Sequence, residues 1–574
     1  MKGLIKILIG TLIVLVTIIL IIVGAMKLYF TEERIIALVS PPIEKAINRN
    51  IDIKRAEFSI LKGFVLSDIT IKEEDVKNNF VTIKEFSISY ELWPLLEKKL
   101  TINSVSLVSP SIHIVRYKNG SFNYESILPK NNSKSATGTR SPQRSAAPGP
   151  AGATGALPLA ITVNNVSISG GQVSFRDEIR ELPSVKAVID LETDLDISPS
   201  GAINYKGEMA LDAKTTLGKL PTNVKSHFKF DTSKISLKGD LWLDKWLVNL
   251  AGRVTDYMEL PNIVFNISSE KLDLDDIRLK VAPFLEQSQK HSKGSTPGGT
   301  ETRSGPPIPL PPMMQNMEAK GTVEIGELIY SNLPLKAVKV NCLLKDGKMT
   351  IKKEIGDLCG GRLVTNLNAN LNEKSLPFKG NLTVERVEIG GLMNLVAPKL
   401  MGIIVGDVHT RLSFSGSGFP SDAVKNNLIL KGTYGMKDGK IMRNPITIAI
   451  SRLLNMKELE EPSFESVDGD INLEKGWVFF KSLYSSKDMK VKVENGRVSL
   501  DGALNVPMVI RLSKELSRRL VARQSAMKVL LNDNGIAELP ITLKGSWRHP
   551  SPTINMKKAK NQLIKGVLKG VFGQ

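Results

Sequence analysis

Residues able to do covalent or metal chemistry are few in this chain and stand far apart. The five histidines, His113, His227, His291, His409 and His549, never fall within one helical turn of each other, so no helix presents a metal-binding pair. The two cysteines, Cys342 and Cys359, exclude a four-thiolate metal site and a disulfide scaffold. In an oxidising compartment they could pair, but the hairpin between them should hold them apart as two free buried thiols. Leu272-Asp273-Leu274-Asp275-Asp276 lacks the Gly and the closing Glu of a calcium loop and reads as a solvated turn or helix cap. Asp190, Glu192, Asp194 and Asp196 share one strand face, which suits a wet surface better than a catalytic pair whose one carboxyl must be buried. No nucleophile elbow, phosphate-binding loop, zinc-protease helix or C-x-x-C pair occurs. The expectation is a protein that is not an enzyme, with no catalytic, cofactor-binding or metal residue. His227, in a Lys/Ser/Phe alternation, reads as a surface residue.

What remains is the chemistry of surfaces. Among 574 residues, 77 Lys and Arg against 58 Asp and Glu leave a charge of +19, which suits nucleic acid or phospholipid head groups. Residues 7–26 decide between them: they form an uncharged, proline-free run rich in Ile, Leu and Val between Lys6 and Lys27. As a helix it would be about 30 Å long, the thickness of a bilayer's hydrocarbon core. A cleaved signal peptide would have a shorter apolar region, of about 7–15 residues, and a better cleavage site than Val23-Gly24-Ala25-Met26. The run is therefore expected to be an uncleaved anchor. Lys2 and Lys6 on one side balance Lys27 and Arg34 on the other, so flanking charge barely orients it. One N-terminal anchor most simply places the bulk of the chain outside the cytoplasm, where nucleic acid is not an expected partner.

The segments 130–157 and 286–312 are rich in Pro, Gly, Ser and Thr and cannot bury enough apolar surface to offset the entropy of ordering. They are expected to be disordered linkers. The organisation is then an anchor over 1–30, a β region with an amphipathic helix over 31–129, the linker 130–157, a middle β region over 158–285, the linker 286–312, a C-terminal β region over 313–552, and a basic amphipathic helix over 553–574. Within the β regions polar and apolar residues alternate, as in Ser111 to Arg116, Ile161 to Val163, Lys225 to Phe230, Ile263 to Ile267, Val491 to Glu494 and Arg497 to Asp501. That period marks strands with one dry and one wet face. Asp346-Gly347, Asp438-Gly439 and Asn495-Gly496 read as hairpin turns. Roughly 20–28 strands are expected, about 100–130 Å of sheet if all are continuous. Helices are expected over 31–50, broken at Pro41-Pro42, and over 445–459, 512–531 and 556–572. Leu182 to Val188 (LPSVKAV) is echoed by Leu333 to Val338 (LPLKAV), a short repeat that favours an elongated sheet.

The order of motifs after the apolar run resembles the N-terminal region of the AsmA family. It runs through Ile51-Asp52-Ile53, Gly63 to Ile69, Leu92-Trp93-Pro94-Leu95-Leu96, Ile102 to Val108, Ser109-Pro110-Ser111-Ile112 and Arg116 to Tyr124 (RYKNGSFNY). Ile161 to Asp177, Gly321 to Asn332 and Gly356 to Val364 look like family strand pairs, and Leu539 to Trp547, with Pro550 and Pro552, resembles the family's C-terminal signature. The resemblance implies a mainly β protein with a few helices, in which an N-terminal transmembrane helix precedes an elongated, curled antiparallel β-sheet shaped as a groove. It implies a single-pass protein of the bacterial inner membrane with its bulk in the periplasm. The family is similar to bridge-like lipid transfer proteins, so phospholipids are the implied partners and outer-membrane lipid homeostasis the implied role.

A strand that is apolar on one face must cover it, either with a second sheet or, in a gutter, with acyl chains at about 0.8 kcal/mol per methylene. Candidate lining residues are Ile112, Ile114, Phe228, Phe230, Ile263, Phe265, Ile267, Leu428 and Leu430, each equally consistent with ordinary core. Membrane-contact candidates are Lys557, Lys558, Lys560, Leu563, Ile564, Lys565, Val567, Leu568 and Lys569, whose spacing makes a basic amphipathic helix. That helix could meet a membrane, cap the end of the sheet or bind an envelope partner. A non-conducting scaffold or assembly factor for outer-membrane proteins, with a closed apolar core, is the alternative.

Overall fold

The computed structural model describes residues 29–59, 63–74, 77–91, 94, 99–127, 160–292, 317–396, 402–418 and 427–555. The expected anchor 7–26, the linker 130–157, most of 286–312 and the C-terminal helix 556–572 lie outside the described residues. Among the described residues no helix is long and apolar enough to cross a membrane. They contain 25 strands, and the chain divides into two compact units, Met1–Glu259 with Asp276–Gly299, and Leu260–Asp275 with Thr300–Gln574.

The first unit opens with α1 (Glu32–Ile47), then β1 (Ile51–Ser59), β2 (Gly63–Lys72), β3 (Asn79–Glu91), β4 (Lys99–Val108) and β5 (Ser111–Arg116). It continues through β6 (Ala160–Asp177), β7 (Val185–Ile197), β8 (Ile203–Leu217), β9 (Leu220–Asp231), β10 (Lys234–Leu243) and β11 (Trp246–Thr255). Most of α2 (Leu274–Ser292) also belongs to it. β7 shows why these residues make strands: its side chains alternate between half-buried and exposed at every step from Val185 to Ile197. Sheet order follows chain order through antiparallel neighbours, except that β4 and β5 each pair antiparallel with β3 and parallel with β6.

The second unit has β12 (Asn262–Asp273), β13 (Glu318–Tyr330), β14 (Leu333–Lys345), β15 (Lys348–Leu358), β16 (Gly361–Asn370), β17 (Pro377–Glu388) and α3 (Ile389–Val396). Then come β18 (Ile404–Ser417), β19 (Ile429–Ile441), α4 (Pro445–Leu454), β20 (Ser463–Glu474), β21 (Trp477–Ser485) and β22 (Met489–Ser499). β23 (Ala503–Leu512), α5 (Lys514–Arg523), β24 (Glu538–Ser546) and β25 (Pro550–Ile554) complete it. β12 and β13 are parallel; the other pairs are antiparallel.

The sheet is therefore mixed, which corrects the expectation of a purely antiparallel one. The reason is visible in the connections. A tight turn can join antiparallel strands only, whereas a parallel neighbour requires the chain to travel back the full strand length. The long low-complexity segments fall at these places, between β5 and β6 and between β12 and β13.

Three further expectations change. α1 runs unbroken through Pro41-Pro42 to Asn48, whose positive φ of 52° ends it. Each proline removes an N–H but already has a helical φ. Ile35, Ile36 and Val39 pack on Ile53, Leu66, Ile69 and Phe86, and the Glu44 carboxylate accepts the Ile51 N–H at 2.9 Å, so tertiary contacts hold the helix together. Residues 286–292, assigned above to a linker, continue α2 instead: Glu, Gln and Lys favour the helix, and the first Gly comes at 294. Asp438-Gly439 and Asn495-Gly496 are not hairpin turns but irregular positions inside β19 and β22. There an extra residue is tucked into the ladder, in β19 against β18 with Asp438 at a φ of 49°, and in β22 against β21 and β23. Of the three expected turns, Asp346-Gly347 alone closes a two-residue hairpin, between β14 and β15.

The main buried core belongs to the second unit. Val338, Ile355, Leu358, Val384 and Val387 join Leu454 of α4 and Leu516 and Leu520 of α5 in one cluster. Asn444 caps α4 by accepting from Ile446 and Thr447 N–H, while the Thr447 hydroxyl accepts the Asn444 N–H.

Candidate functional site: a half-buried apolar face

In the first unit, register brings the apolar residues of successive strands into rows. Phe228 of β9 stands opposite Met209 of β8 and Leu237 of β10, and the row continues through Leu191, Ile168 and Leu107. Phe230 is opposite Gly207 and Ile235. Ile112 and Ile114 of β5 lie beside Val173 and Phe175 of β6. The predicted lining residues of this unit thus share one face. Among the described residues of β4–β11 the buried apolar side chains are only Val163, Leu220 and Val248; most of that face is half-buried, and Ile203 at its end is exposed. The opposite face is charged: Lys229 and His227 meet Glu208, each at 3.3 Å, and Lys225 meets Asp212 at 3.7 Å. The Lys229 ammonium beside Glu208 holds that carboxyl below its usual range.

In the second unit Phe265 of β12 leads a row through Gly321, Cys342, Ile351, Leu367 and Gly380 to Phe414 and Leu430. Ile263 and Ile267 lie on the same face, opposite Ala319 and Val323. Leu428 is half-buried one residue before β19. Toward the other strand ends this face passes into the closed core described above. The proposed membrane-contact residues Lys557, Lys558, Lys560, Leu563, Ile564, Lys565, Val567, Leu568 and Lys569 lie outside the described residues.

Two features of this face were not anticipated from the sequence. First, the outer ends of aromatic rings reach over glycines on the neighbouring strand: Phe265 over Gly321, Phe414 over Gly380, Phe378 over Gly416, Phe480 over Gly496 and Phe464 over Gly439. A methyl group on Gly416 or Gly496 would sit 2.6 Å from the ring facing it. The missing Cβ lets the ring rest on the backbone instead of standing up into the space above the sheet. Second, Lys353 of β15 occupies an inward position, in line with Met349, Ile351 and Ile355. Its signal was present in the sequence, because MTIKKEI keeps period two only if Lys353 joins the apolar set.

The cysteines are free and half-buried rather than buried. Burial pushes both thiols up, and the carboxylates of Glu388 and Asp357 add to the effect at Cys359. The Leu272–Asp276 run joins β12 to α2: Asp275 accepts the N–H groups of Ser331 and Asn332 in the turn between β13 and β14, and Asp276 accepts from the side chains of Lys280 and Trp246. Among the described residues no three His, Cys, Asp or Glu are placed to hold a metal ion.

Arg116 to Tyr124 forms a polar clasp. Buried Asn123 donates to Glu73 at 2.7 Å and to the His113 carbonyl at 2.8 Å, and accepts the Val115 N–H at 3.0 Å. Arg49, just past α1, donates to the Asn123 carbonyl at 2.5 Å. The motif thereby ties α1 to the strands.

Strands with one charged face and one half-covered apolar face define a β protein built around a surface fit for hydrocarbon. The chain belongs to the AsmA family, whose sequence profile matches residues 1–216 and 200–482. No curated protein and no solved structure matches it. Family membership and the apolar-faced strands together fit a role in lipid transport or in the cell envelope.

Proposed function

We propose that the chain is an inner-membrane-anchored periplasmic protein that binds glycerophospholipid acyl chains along its apolar face. It helps move them toward the outer membrane and so serves outer-membrane lipid homeostasis. The observation that carries this reading is the face of β4–β11: its rows of Leu, Ile, Met and Phe are continuous in register yet almost nowhere fully buried. An apolar surface of that kind is stabilised by whatever hydrocarbon covers it, at about 0.8 kcal/mol per methylene. Transfer of this kind needs no bond to be made or broken; the face lowers the cost of moving an acyl chain through water. Residues 7–26 would hold the donor end in the inner membrane, and the basic C-terminal segment would meet the outer membrane or an envelope partner.

A second reading, a non-conducting scaffold or assembly factor for outer-membrane proteins, draws on the closed cluster of the second unit under α4 and α5. Site-specific photo-crosslinking in intact cells separates the two. A photoreactive side chain at Phe228 or Leu237 should yield lipid adducts detectable by mass spectrometry, while the adjacent outward positions Lys229 and Lys238 should not. Protein adducts without lipid at Phe228 would favour the scaffold.

A further inference from the structure

Lys353 is a charge in the wrong place for an ordinary sheet. Among the described residues it is the one charged residue at the inward positions of β13–β22. Its cross-strand neighbours are Val340 and Thr365, and the Thr365 hydroxyl already donates to the Asn381 carbonyl at 2.9 Å. No described carboxylate pairs with it, whereas several outward charges of the same strands are matched, as in Lys339–Glu324 and Arg362–Glu354, both at 2.6 Å. Nor is it a guard against edge-to-edge pairing, because β15 is hydrogen-bonded on both sides, to β14 and β16.

Its position along the strand narrows the possibilities. Two residues on, Ile355 is 2% exposed, and Leu358 beyond it is 0% exposed, so that side is closed. Two residues back, Ile351 is half-buried, as are Cys342 and Leu367 beside it. Lys353 thus stands where the packed core gives way to the half-covered apolar rows, about 7 Å from each. An unpaired ammonium sealed into a core costs several kcal/mol, so this one must meet water or an anion. An apolar row with a cation at its margin complements an amphiphile with an anionic head.

We propose that Lys353 is a head-group subsite, where its ammonium holds the phosphodiester of a net-anionic phospholipid whose acyl chain lies along the Cys342–Ile351–Leu367 row. This rests on the acyl-binding reading above and adds selectivity to it. A zwitterionic lipid brings its own cation next to its phosphate and gains less from Lys353. A lipid with uncompensated charge gains the full contact.

The test uses the full chain in maltoside micelles, with binding read by native mass spectrometry. The probes are short-chain phosphatidylglycerol, short-chain phosphatidylcholine and inorganic phosphate. Wild type and Lys353→Arg should prefer phosphatidylglycerol over phosphatidylcholine by about tenfold, the scale of one charge-assisted contact. Lys353→Met, with a thermal melt to establish that it folds, should still bind phosphatidylcholine but lose the preference. An undiminished preference in Lys353→Met, or none in wild type, overturns the subsite while leaving the acyl-binding reading intact. Displacement of phosphatidylglycerol by an equal concentration of inorganic phosphate overturns it too, in favour of a bare phosphate site. Failure of wild type to bind either lipid removes both readings.

Discussion

At Asn123 a single buried side chain satisfies a backbone N–H, a backbone carbonyl and the Glu73 carboxylate at once, and its own carbonyl receives Arg49. Asn123→Ala strips partners from several buried polar groups and should cost about 2–4 kcal/mol in chemical denaturation. Asn119→Ala, in the exposed turn of the same motif, should cost less than about 1 kcal/mol. Equal effects would mean that the clasp is not what the motif supplies. The sequence pattern marked this stretch, but nothing in it distinguished a polar clasp from a binding loop, because the partners come from 50 and 74 residues away. The Tyr257 phenol is a second case. It donates to the Asp231 carbonyl at 2.8 Å and shares a short hydrogen bond with the Tyr205 hydroxyl; burial, followed by the Tyr205 partner and the Asp231 carboxylate, pushes it up to about 12. The folded state favours the neutral phenol, so its contribution to stability is complete below the ordinary value of 10.0 and is lost as pH rises toward about 12. Tyr257→Phe should cost about 1 kcal/mol at neutral pH, with the gap to wild type shrinking across that window. A constant gap in denaturation midpoints would refute this sign.

For the strands as elements, the decisive pattern is ring over glycine. Gly321→Ala places a methyl group within the Phe265 ring, which must then swing off the sheet, at a cost of about 1–3 kcal/mol. In a Phe265→Ala background the same change should cost nothing or stabilise slightly, since Ala suits a strand interior better than Gly by roughly 0.5–1 kcal/mol. A double-mutant cycle reads the coupling directly, and additive effects would sink the argument. Sequence alternation was sufficient to find the strands and, within each unit, to place Phe228 with Phe230 and Phe265 with Leu430 on a shared face. It could not pair Phe265 with Gly321, because 56 residues and a parallel junction separate them. Asp438-Gly439 and Asn495-Gly496 misled for a related reason: a hairpin turn and a bulge ask for the same tolerant backbone, and only the register of the partner strand tells them apart.

At the scale of the whole molecule, the proposed membrane anchor is open to a direct test. Deleting residues 7–26 should move the protein from the membrane to the soluble fraction of disrupted cells. If part of it still pellets, extraction by high salt would assign that part to the basic C-terminal segment, whose attraction to anionic lipid is screened. Pelleting that resists salt would contradict the anchor. Another consequence follows from the way the strands are joined. Antiparallel neighbours keep their apolar residues on one side regardless of how many precede them, so inserting one more hairpin would widen the strip by about 10 Å and disturb no existing pair. Such a protein lengthens by increments, each copy of a strand pair being neutral for those already present. Span is then an evolvable quantity, free to change without reinvention of the fold.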